Sequence, residues 1–284
     1  MHRLRRWKTY RDLEDYRVDV IVSVFNHEKS IRRCIDSILS QTHGNLFITI
    51  VDDHSSDCSW QIIKELEEAF PDRIEAKRPS EHVGSASLAR RECGIQLAGE
   101  FWALIDGDDW WIDNRKILNQ ICLIHDDHET IGCSGTTLQV GIDGNLIDEI
   151  RPSRGCWGYR DYLSGVEGLY VHVSSIVWKN VFRGEGNYFP KVYKNNWPTG
   201  EWPLTLACLA ESGRRLVHLE SAVSQYNWTG EGQYSKLASE DRVRLNLVLT
   251  ERLRSVIPFR YRVQVALLKV LSLIAKIRFK QKDL

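Results

Sequence analysis

The first third of the chain alternates short, β-branched apolar runs with segments whose apolar residues recur at helical spacing. Such runs are typical of buried strands, and the segments between them are typical of helices packed on a sheet. Predicted strands cover Val18–Phe25, Leu46–Val51, Ile74–Lys77 and Phe101–Ile105, and predicted helices cover Ile31–Leu39, Trp60–Phe70 and about Ser87–Ala98. This alternation predicts an α/β fold with a mostly parallel sheet flanked by helices.

Three of the predicted strands end in polar or acidic clusters. The clusters are Asn26–Glu28, Asp52 with Asp53, and Asp106–Asp109. Helix caps and turns explain any one of them, but they explain three clusters in register much less well. Because ligands of open parallel sheets bind at the carboxyl ends of strands, we expect a functional site at this edge.

The loop after the first strand, Asn26 to Ser30, lacks the G-x-G-x-x-G pattern of dinucleotide-binding folds. No G-x-x-x-x-G-K-[ST] phosphate loop occurs in the sequence either. A diphosphate ligand would therefore need a metal to neutralise its charge. Asp106–Asp109 offers hard oxygen ligands suited to Mn²⁺ or Mg²⁺.

Composition excludes several classes of protein. With 284 residues, 43% of them apolar, the chain can bury a sizeable core, which excludes disordered, collagen-like and small disulfide-bonded chains. The formal net charge of zero conceals an uneven distribution. Residues 1–17 hold six basic and three acidic side chains. From Arg252 to residue 284 there are nine basic side chains and one acidic side chain, Asp283. An acidic body remains, which suits a metal better than nucleic acid, so we expect no nucleic-acid partner.

Cysteine usage and hydropathy bear on the compartment. The seven cysteines are scattered without a C-x-x-C pair, which favours a reducing environment. No apolar stretch resembles a signal peptide or reaches the roughly 18 residues of a membrane span. We expect a cytoplasmic protein, with a peripheral position at the inner face of the cell membrane as one option.

That option depends on residues 258–284, whose apolar positions form one helical face beside a basic stripe. A basic amphipathic helix can lie on an anionic membrane surface. It can equally pack on the catalytic domain or on a second copy in a homo-oligomer. The sequence leaves these readings open.

Four quoted segments carry a family resemblance. They are VSVFNHEKSIRRCIDSILSQT from Val22, IVDDHSSD from Ile50, LARRECGIQLAGEFWALIDGDDWW from Leu88 and GEWPLTLACLAESG from Gly200. In this order and spacing the chain resembles the family 2 glycosyltransferases over roughly Val18 to Ser235. The resemblance implies a GT-A-like fold and inverting transfer from a nucleotide-diphospho-sugar.

The resemblance also implies residue roles. The nucleotide sugar would be held by Ser23, Phe25, Asn26, Glu28, Asp53, Arg91, Asp106 and Gly107, with the acidic group of Asp53 accepting the base N–H of uracil. Asp108 would ligate the divalent metal. Glu201, in Gly200-Glu201-Trp202-Pro203, would be the general base that takes the acceptor proton, and Trp202 would contact the acceptor. Many relatives carry a downstream Tyr-Arg-x-His segment, whereas this chain reads Tyr226-Asn227-Trp228-Thr229 and has no His there.

The expected organisation is a basic N-terminal extension (1–17), a GT-A domain (18–240) and a C-terminal helical segment (241–284). The GT-A domain would divide into a nucleotide-binding half (18–111) and an acceptor-binding half (112–240). We expect transfer from a UDP-sugar to a glycan or lipid-linked acceptor in cell-surface polysaccharide biosynthesis. The alternatives are a nucleotidyltransferase that forms a sugar nucleotide and a non-catalytic sugar-nucleotide-binding protein.

Overall fold

The computed structural model describes residues 13–163, 169–180 and 201–228, with the backbone alone for 162–163, 201–203, 207 and 211. Most of the predicted basic extension and the whole C-terminal segment 241–284, including the predicted amphipathic residues 258–284, lie outside the described residues. Within the described residues, no helix is both long and apolar enough to cross a bilayer. All seven cysteines are described, and each is a free thiol.

The elements follow the predicted alternation along the first third of the chain. The strands are β1 (Val18–Val24), β2 (Leu46–Asp52), β3 (Ile74–Lys77), β4 (Phe101–Asp106), β5 (Trp110–Trp111), β6 (Thr130–Gly141), β7 (Leu146–Ile150), β8 (Cys156–Gly158), β9 (Val177–Lys179) and β10 (Arg215–Trp228). The helices are α1 (Ile31–Leu39), α2 (Ser59–Ala69), α3 (Ala86–Glu92), α4 (Lys116–Ile124), α5 (Tyr159–Leu163) and α6 (Glu201–Ser212), with a 3₁₀ turn at Val173–Ser175.

One sheet joins the described strands in the order β3-β2-β1-β4-β9-β6-β10-β5, with β7 on β6 and β8 on β10. The pairings of β1 with β2, β1 with β4, and β2 with β3 are parallel, as the sequence predicts. Beyond β4 the sheet is mixed, because β9 runs antiparallel to both β4 and β6, while β6 and β10 are parallel. The fold is therefore a mixed α/β sheet in which β1 to β4 form a parallel block.

Alternating side chains of the central strands fill two apolar cores, one on each face. In β1, Ile21 joins one core while Val20 and Val22 join the other. In β4, Trp102 and Leu104 alternate with Phe101, Ala103 and Ile105 in the same way. With both faces covered, the open edge at the carboxyl ends of β1, β2 and β4 is where polar side chains collect.

Helix α3 is shorter than the sequence pattern predicts, because a glycine ends it. Gly94 has a φ of 60°, its N–H donates to the Arg91 carbonyl at 3.0 Å, and the Ile95 N–H donates to the Arg90 carbonyl at 3.3 Å. These bonds form a Schellman motif, which satisfies the last carbonyls of the helix. The predicted end at Ala98 is therefore wrong, and α3 stops at Glu92.

A buried lysine supports the segment that follows β4. Lys116 is fully buried, its Nζ donates to Gln120 Oε1 at 2.8 Å, and it lies 4.4 Å from the centre of the Trp111 ring. Burial lowers the pKa of Lys116 to about 7, although Cys133 and Asp113 act in the opposite direction. The fold therefore holds a lysine that loses its proton far more readily than an exposed one.

This lysine should give the folding stability a specific pH dependence. Its folded pKa lies below the unfolded value of about 10.4, so the unfolded chain binds more protons between about pH 7 and pH 10, and stability should rise with pH across that window. Lys116→Met keeps the aliphatic stem and removes the proton site. Urea unfolding of both proteins at pH 7, 8, 9 and 10 should show the wild type gaining stability relative to the variant. Parallel curves would contradict the buried-lysine assignment.

Candidate active site

The loop after β4 is tied to the end of β1 and the start of α1. The parallel register sets Ser23 opposite Asp106, and the Gly107 N–H donates to the Ser23 carbonyl at 2.8 Å. The Ser30 hydroxyl donates to the Gly107 carbonyl at 2.9 Å. These bonds hold the acidic loop at one place on the edge of the sheet.

Only glycine fits at position 107. A Cβ there would lie 2.8 Å from His27 Nδ1 and 3.0 Å from Val24 Cγ2, both too close. The space that Gly107 leaves is filled by His27, whose Nε2 lies 3.7 Å from Asp108 Oδ2. The glycine of the Asp106–Asp109 segment thus brings an imidazole beside Asp108.

Asp108 presents its carboxylate to solvent. Its side chain is 39% exposed, and its main-chain carbonyl accepts a hydrogen bond from the Asn227 amide on β10. Among the described residues, no three His, Cys, Asp or Glu side chains converge closely enough to form a complete metal cage. An exposed carboxylate of this kind fits a hard cation whose other ligands are substrate phosphates and water, which is how Mg²⁺ is commonly held.

Asp109 points the other way, into the protein. It is 1% exposed, and its Oδ2 accepts a hydrogen bond from the Ser174 hydroxyl at 2.6 Å. Burial, and then the charges of Asp108 and Asp106, raise the pKa of Asp109 well above its usual range. Adjacent carboxylates of the loop therefore have opposite surroundings, one solvated and one buried.

His172 and Tyr226 complete the buried layer beneath the loop. His172 Nδ1 lies 3.6 Å from Asp109 Oδ2, and the ring stacks on Tyr226 at 4.6 Å between centroids. Burial lowers the pKa of His172 to about 4, so at neutral pH it is uncharged and does not neutralise Asp109. Since the Trp111 indole N–H donates to the Ser174 carbonyl at 2.8 Å, the layer is also fixed to β5.

The end of β2 carries two aspartates with different partners. Asp52 is buried and forms an ion pair with Arg78. Asp53 Oδ1 accepts from the Val83 N–H at 2.9 Å, and its Oδ2 accepts from the Gly84 N–H at 2.8 Å. Asp53 therefore anchors the loop before α3 at the predicted nucleotide site.

Side chains of the loop after β1 accept hydrogen bonds from the loop after β2. Asn26 has a φ of 60°, and its Oδ1 accepts from the Ser56 N–H at 2.8 Å, while Glu28 Oε2 accepts from the Cys58 N–H at 3.0 Å. Phe25 is 40% exposed and stacks on His82 with 4.6 Å between ring centroids. Of these predicted site residues, Phe25 offers an exposed flat surface, whereas Asn26 and Glu28 fix the shape of the loop.

The two arginines of α3 occupy different environments. Arg90 is 1% exposed and donates to the Ser23 hydroxyl, so it reaches the end of β1. Arg91, the predicted nucleotide contact, pairs with Glu92 at 2.7 Å, and its side chain is 31% exposed. Arg90 is therefore the arginine that the described contacts bring to the site edge.

Glu201 and Trp202 lie at the start of α6, where the structure describes the backbone alone. The positions of their side chains lie outside the described residues. Their predicted roles as base and acceptor contact stay predictions.

A family model described as "Glycosyl transferase family 2" matches residues 19–160, which are half of the 284 residues. This chain belongs to glycosyl transferase family 2. The match includes the ends of β1, β2 and β4, so it covers the loops described above.

Curated relatives match over similar lengths of chain. The Escherichia coli UDP-Glc:alpha-D-GlcNAc-diphosphoundecaprenol beta-1,3-glucosyltransferase WfaP is 35% identical over 105 residues, which are 37% of this chain and 39% of that protein. The E. coli enzyme WfgD, described by the same reaction, is 32% identical over 126 residues, or 42% of this chain and 48% of that protein. The matches thus span less than half the length of these relatives.

Solved structures extend the likeness across the fold. S. aureus TarS in complex with UDP-GlcNAc has a TM-score of 0.59 at 17% identity, covering 90% of this chain and 71% of that one. The mannosyltransferase PcManGT from Pyrobaculum calidifontis, in complex with GDP-Man and Mn²⁺, has a TM-score of 0.57 at 18% identity, covering 91% and 71%. Because both sequence identities are low, these structures show the fold alone, which is GT-A-like.

Four further side chains at the site edge were not predicted from the sequence: His27, Arg90, Ser174 and Asn227. Ser174 is 65 residues from Asp109, so no local pattern could have found it. Arg90 had a signal, because it stands next to Arg91 in the quoted segment that begins at Leu88. Asn227 lies in the segment where many family 2 relatives carry a histidine, and in this chain it instead holds the Asp108 carbonyl.

Gly107→Ala should destabilise the protein by about 1–3 kcal/mol, because the added methyl group must displace His27 and Val24. Gly44→Ala is the matched control, since a Cβ at that position meets nothing within 4 Å. Urea unfolding measures both changes. Equal stability of the two variants would contradict the tight fit of the loop.

Proposed function

We propose that the protein is an inverting glycosyltransferase that moves a sugar from a UDP-sugar to a glycan or lipid-linked acceptor in cell-surface polysaccharide biosynthesis. Mn²⁺ or Mg²⁺ is held at Asp108, and Glu201 is the general base. In this proposal residues 18–240 form the catalytic domain, with 18–111 binding nucleotide and 112–240 binding acceptor. Residues 1–17 and 241–284 are terminal additions, and 258–284 are available for an anionic membrane or a second copy.

The observation that carries the proposal is the exposed Asp108 carboxylate on a loop fixed against the end of β1 and the start of α1. Asp106 lies one step before the glycine, beside Ser23 in the register. A metal at Asp108, when bound, would neutralise the diphosphate of the leaving nucleotide. The PcManGT complex with GDP-Man and Mn²⁺ supports this reading.

Uridine specificity rests on Asp53 and Phe25. Each Asp53 oxygen accepts one backbone N–H, and His82 Nδ1 also lies 3.2 Å from Oδ2, so Oδ1 keeps the second lone pair that would accept the N–H of uracil. Phe25 gives the exposed ring on which a base can stack. The UDP-GlcNAc complex of TarS and the UDP-Glc named for WfaP support uridine as the nucleotide.

The acceptor is proposed from the same relatives. WfaP and WfgD are described as acting on GlcNAc linked through a diphosphate to undecaprenol. We therefore propose a lipid-linked sugar diphosphate as the acceptor class for this chain. In such a molecule one sugar carries both the reacting hydroxyl and the diphosphate.

The proposed reaction requires one proton transfer and one displacement. The acceptor oxygen attacks the anomeric carbon, the bond from that carbon to the diphosphate oxygen breaks with its electron pair, and Glu201 takes the hydroxyl proton. Attack from the face opposite the leaving group inverts the anomeric centre. Glu201 begins α6, and that helix packs through Leu204, Leu206 and Leu209 into the core, which fixes the position of its first residue.

Metal-dependent nucleotide binding is the first test. UDP with Mn²⁺ should raise the melting temperature of the wild type, and Asp108→Asn should abolish the part of the shift that depends on Mn²⁺. Asp72→Asn, a change at an exposed carboxylate between α2 and β3, is the control. Stronger stabilisation by GDP or dTDP than by UDP would contradict the uridine assignment, and an unchanged Mn²⁺ response in Asp108→Asn would contradict the metal role.

The general base is tested by turnover. Glu201→Gln should lower kcat by about 10²–10⁴-fold and leave UDP binding unchanged, because the amide cannot take the acceptor proton. Glu211→Gln, at the other end of α6, is the matched control. Wild-type kcat in the Glu201 variant refutes the assignment, and binding of UDP without any transfer or donor hydrolysis favours a non-catalytic sugar-nucleotide-binding protein.

A further inference from the structure

Arg33 lies on the first turn of α1, against the residue that follows the acidic loop. Its guanidinium carbon is 3.5 Å from the centre of the Trp110 ring, and Trp110 comes two residues after Asp108. Helix α1 runs along this segment, since the Trp111 N–H donates to the Ser37 hydroxyl at 3.0 Å and the Ser30 hydroxyl donates to the Gly107 carbonyl. Arg33 is therefore at the rim of the candidate active site.

The charge of Arg33 has no acidic partner among the described residues. Its neighbour Arg32 pairs with Glu65 on α2, but no carboxylate of the described part lies within ion-pair distance of Arg33. Lys29, one turn earlier and also exposed, likewise makes no ion pair within the described ranges. The rim thus carries two exposed cations beside an acidic loop.

The ring fixes the geometry of the guanidinium. At 3.5 Å the group must lie nearly flat on the indole, because an upright group would bring its nitrogens into the ring. In a flat stack the N–H donors point outward in the plane, where a phosphate can accept two of them side by side. Stacking on Trp110 also restricts the rotamers of Arg33 before any ligand arrives, which lowers the entropy cost of binding.

The remaining question is which phosphate occupies this position. In the proposed function the donor diphosphate is neutralised at Asp108 by the metal. The proposed acceptor brings a second diphosphate, separated from the reacting hydroxyl by a single sugar ring. That phosphate must come close to the acidic loop whenever transfer occurs.

We infer that Arg33, stacked on Trp110 and assisted by Lys29, forms a binding subsite for the phosphate of a lipid-linked sugar diphosphate acceptor. This inference rests on the proposed function, because it takes the acceptor class from there. It adds a residue that recognises the anionic part of the acceptor. The subsite thus extends acceptor binding into residues 18–111, while the neutral sugar and the reacting hydroxyl are left to residues 112–240.

Steady-state kinetics with two acceptors tests the subsite. One acceptor is GlcNAc linked through a diphosphate to a short prenyl chain, and the other is GlcNAc on a phosphate-free alkyl chain. Arg33→Ala should raise KM for the first about tenfold or more, since it removes charge-assisted hydrogen bonds, while KM for the UDP-sugar and for the second acceptor stays unchanged. The KM of Arg33→Lys for the diphosphate acceptor should lie between those of the wild type and Arg33→Ala, because lysine keeps the charge and loses the planar fork.

Arg32→Ala is the matched control, since it removes an adjacent exposed arginine that already has a carboxylate partner. It should behave as the wild type with both acceptors. Equal KM values for the Arg32 and Arg33 variants with the diphosphate acceptor overturn the subsite. A rise in KM for the UDP-sugar in Arg33→Ala assigns the phosphate to the donor and also overturns the inference.

A binding measurement separates this inference from the proposed function. Calorimetry with a short-chain prenyl diphosphate, at saturating UDP and Mn²⁺, should show saturable binding by the wild type and Arg32→Ala, and binding about tenfold weaker or more by Arg33→Ala. If no sugar is transferred but this difference is present, the proposed reaction fails and the phosphate subsite stands. Equal binding by the two variants, or no binding by the wild type, overturns the subsite whether or not transfer occurs.

Discussion

The parallel pairing of β1 with β4 determines where the acidic loop Asp106–Asp109 lies. It sets Ser23 opposite Asp106, so that the Gly107 N–H meets the Ser23 carbonyl. A slip of one residue would reverse the faces of β4 and move each of its side chains into the opposite core, where it does not fit. The register that fills the cores is therefore the one that sets the acidic loop against His27.

The loop carries three carboxylates within four residues, and the fold separates them by environment. Asp108 faces solvent, where water or a cation can offset its charge, and Asp109 is buried under a hydrogen bond from Ser174. Asp109 has no cationic partner among the described residues, and burial of such a carboxylate is costly. Protonation of Asp109 lowers this cost, and the raised pKa of Asp109 favours the protonated form. The arrangement leaves Asp108 as the exposed carboxylate of a loop whose other end is fixed inside the protein.

The sequence predicts the parallel block well, because its signals are local. The strands from Val18, Leu46, Ile74 and Phe101 are confirmed within a residue or so, since buried strands read as continuous β-branched runs. Helix α3 was predicted too long because Gly94 follows apolar residues at helical spacing, and only its positive φ shows where the helix ends. The mixed second half of the sheet could not be predicted from the sequence. There β9 and β10 pair with strands distant in sequence, and no local pattern encodes such pairings.

The same distinction applies to the site. The candidate residues Asp53, Asp106 and Asp108 were predicted from the sequence because they follow apolar runs, and their roles stay predictions. Ser174 could not be found in this way, because its partner is on another element and a serine carries no distinctive local signal. From the sequence, Arg33 resembles any solvated arginine on a helix. It differs from Arg32 because it stacks on Trp110 whereas Arg32 pairs with Glu65, and these contacts are visible only in the folded protein.

The central claim is that Asp108 binds the metal that meets the diphosphate of a UDP-sugar. A crystal structure of the protein with UDP and Mn²⁺ tests it most directly. The account predicts a metal about 2.1 Å from an Asp108 carboxylate oxygen, also bound to a diphosphate oxygen, with uracil beside Phe25 and Asp53. A metal held elsewhere, with Asp108 turned to solvent while UDP is bound, would contradict it.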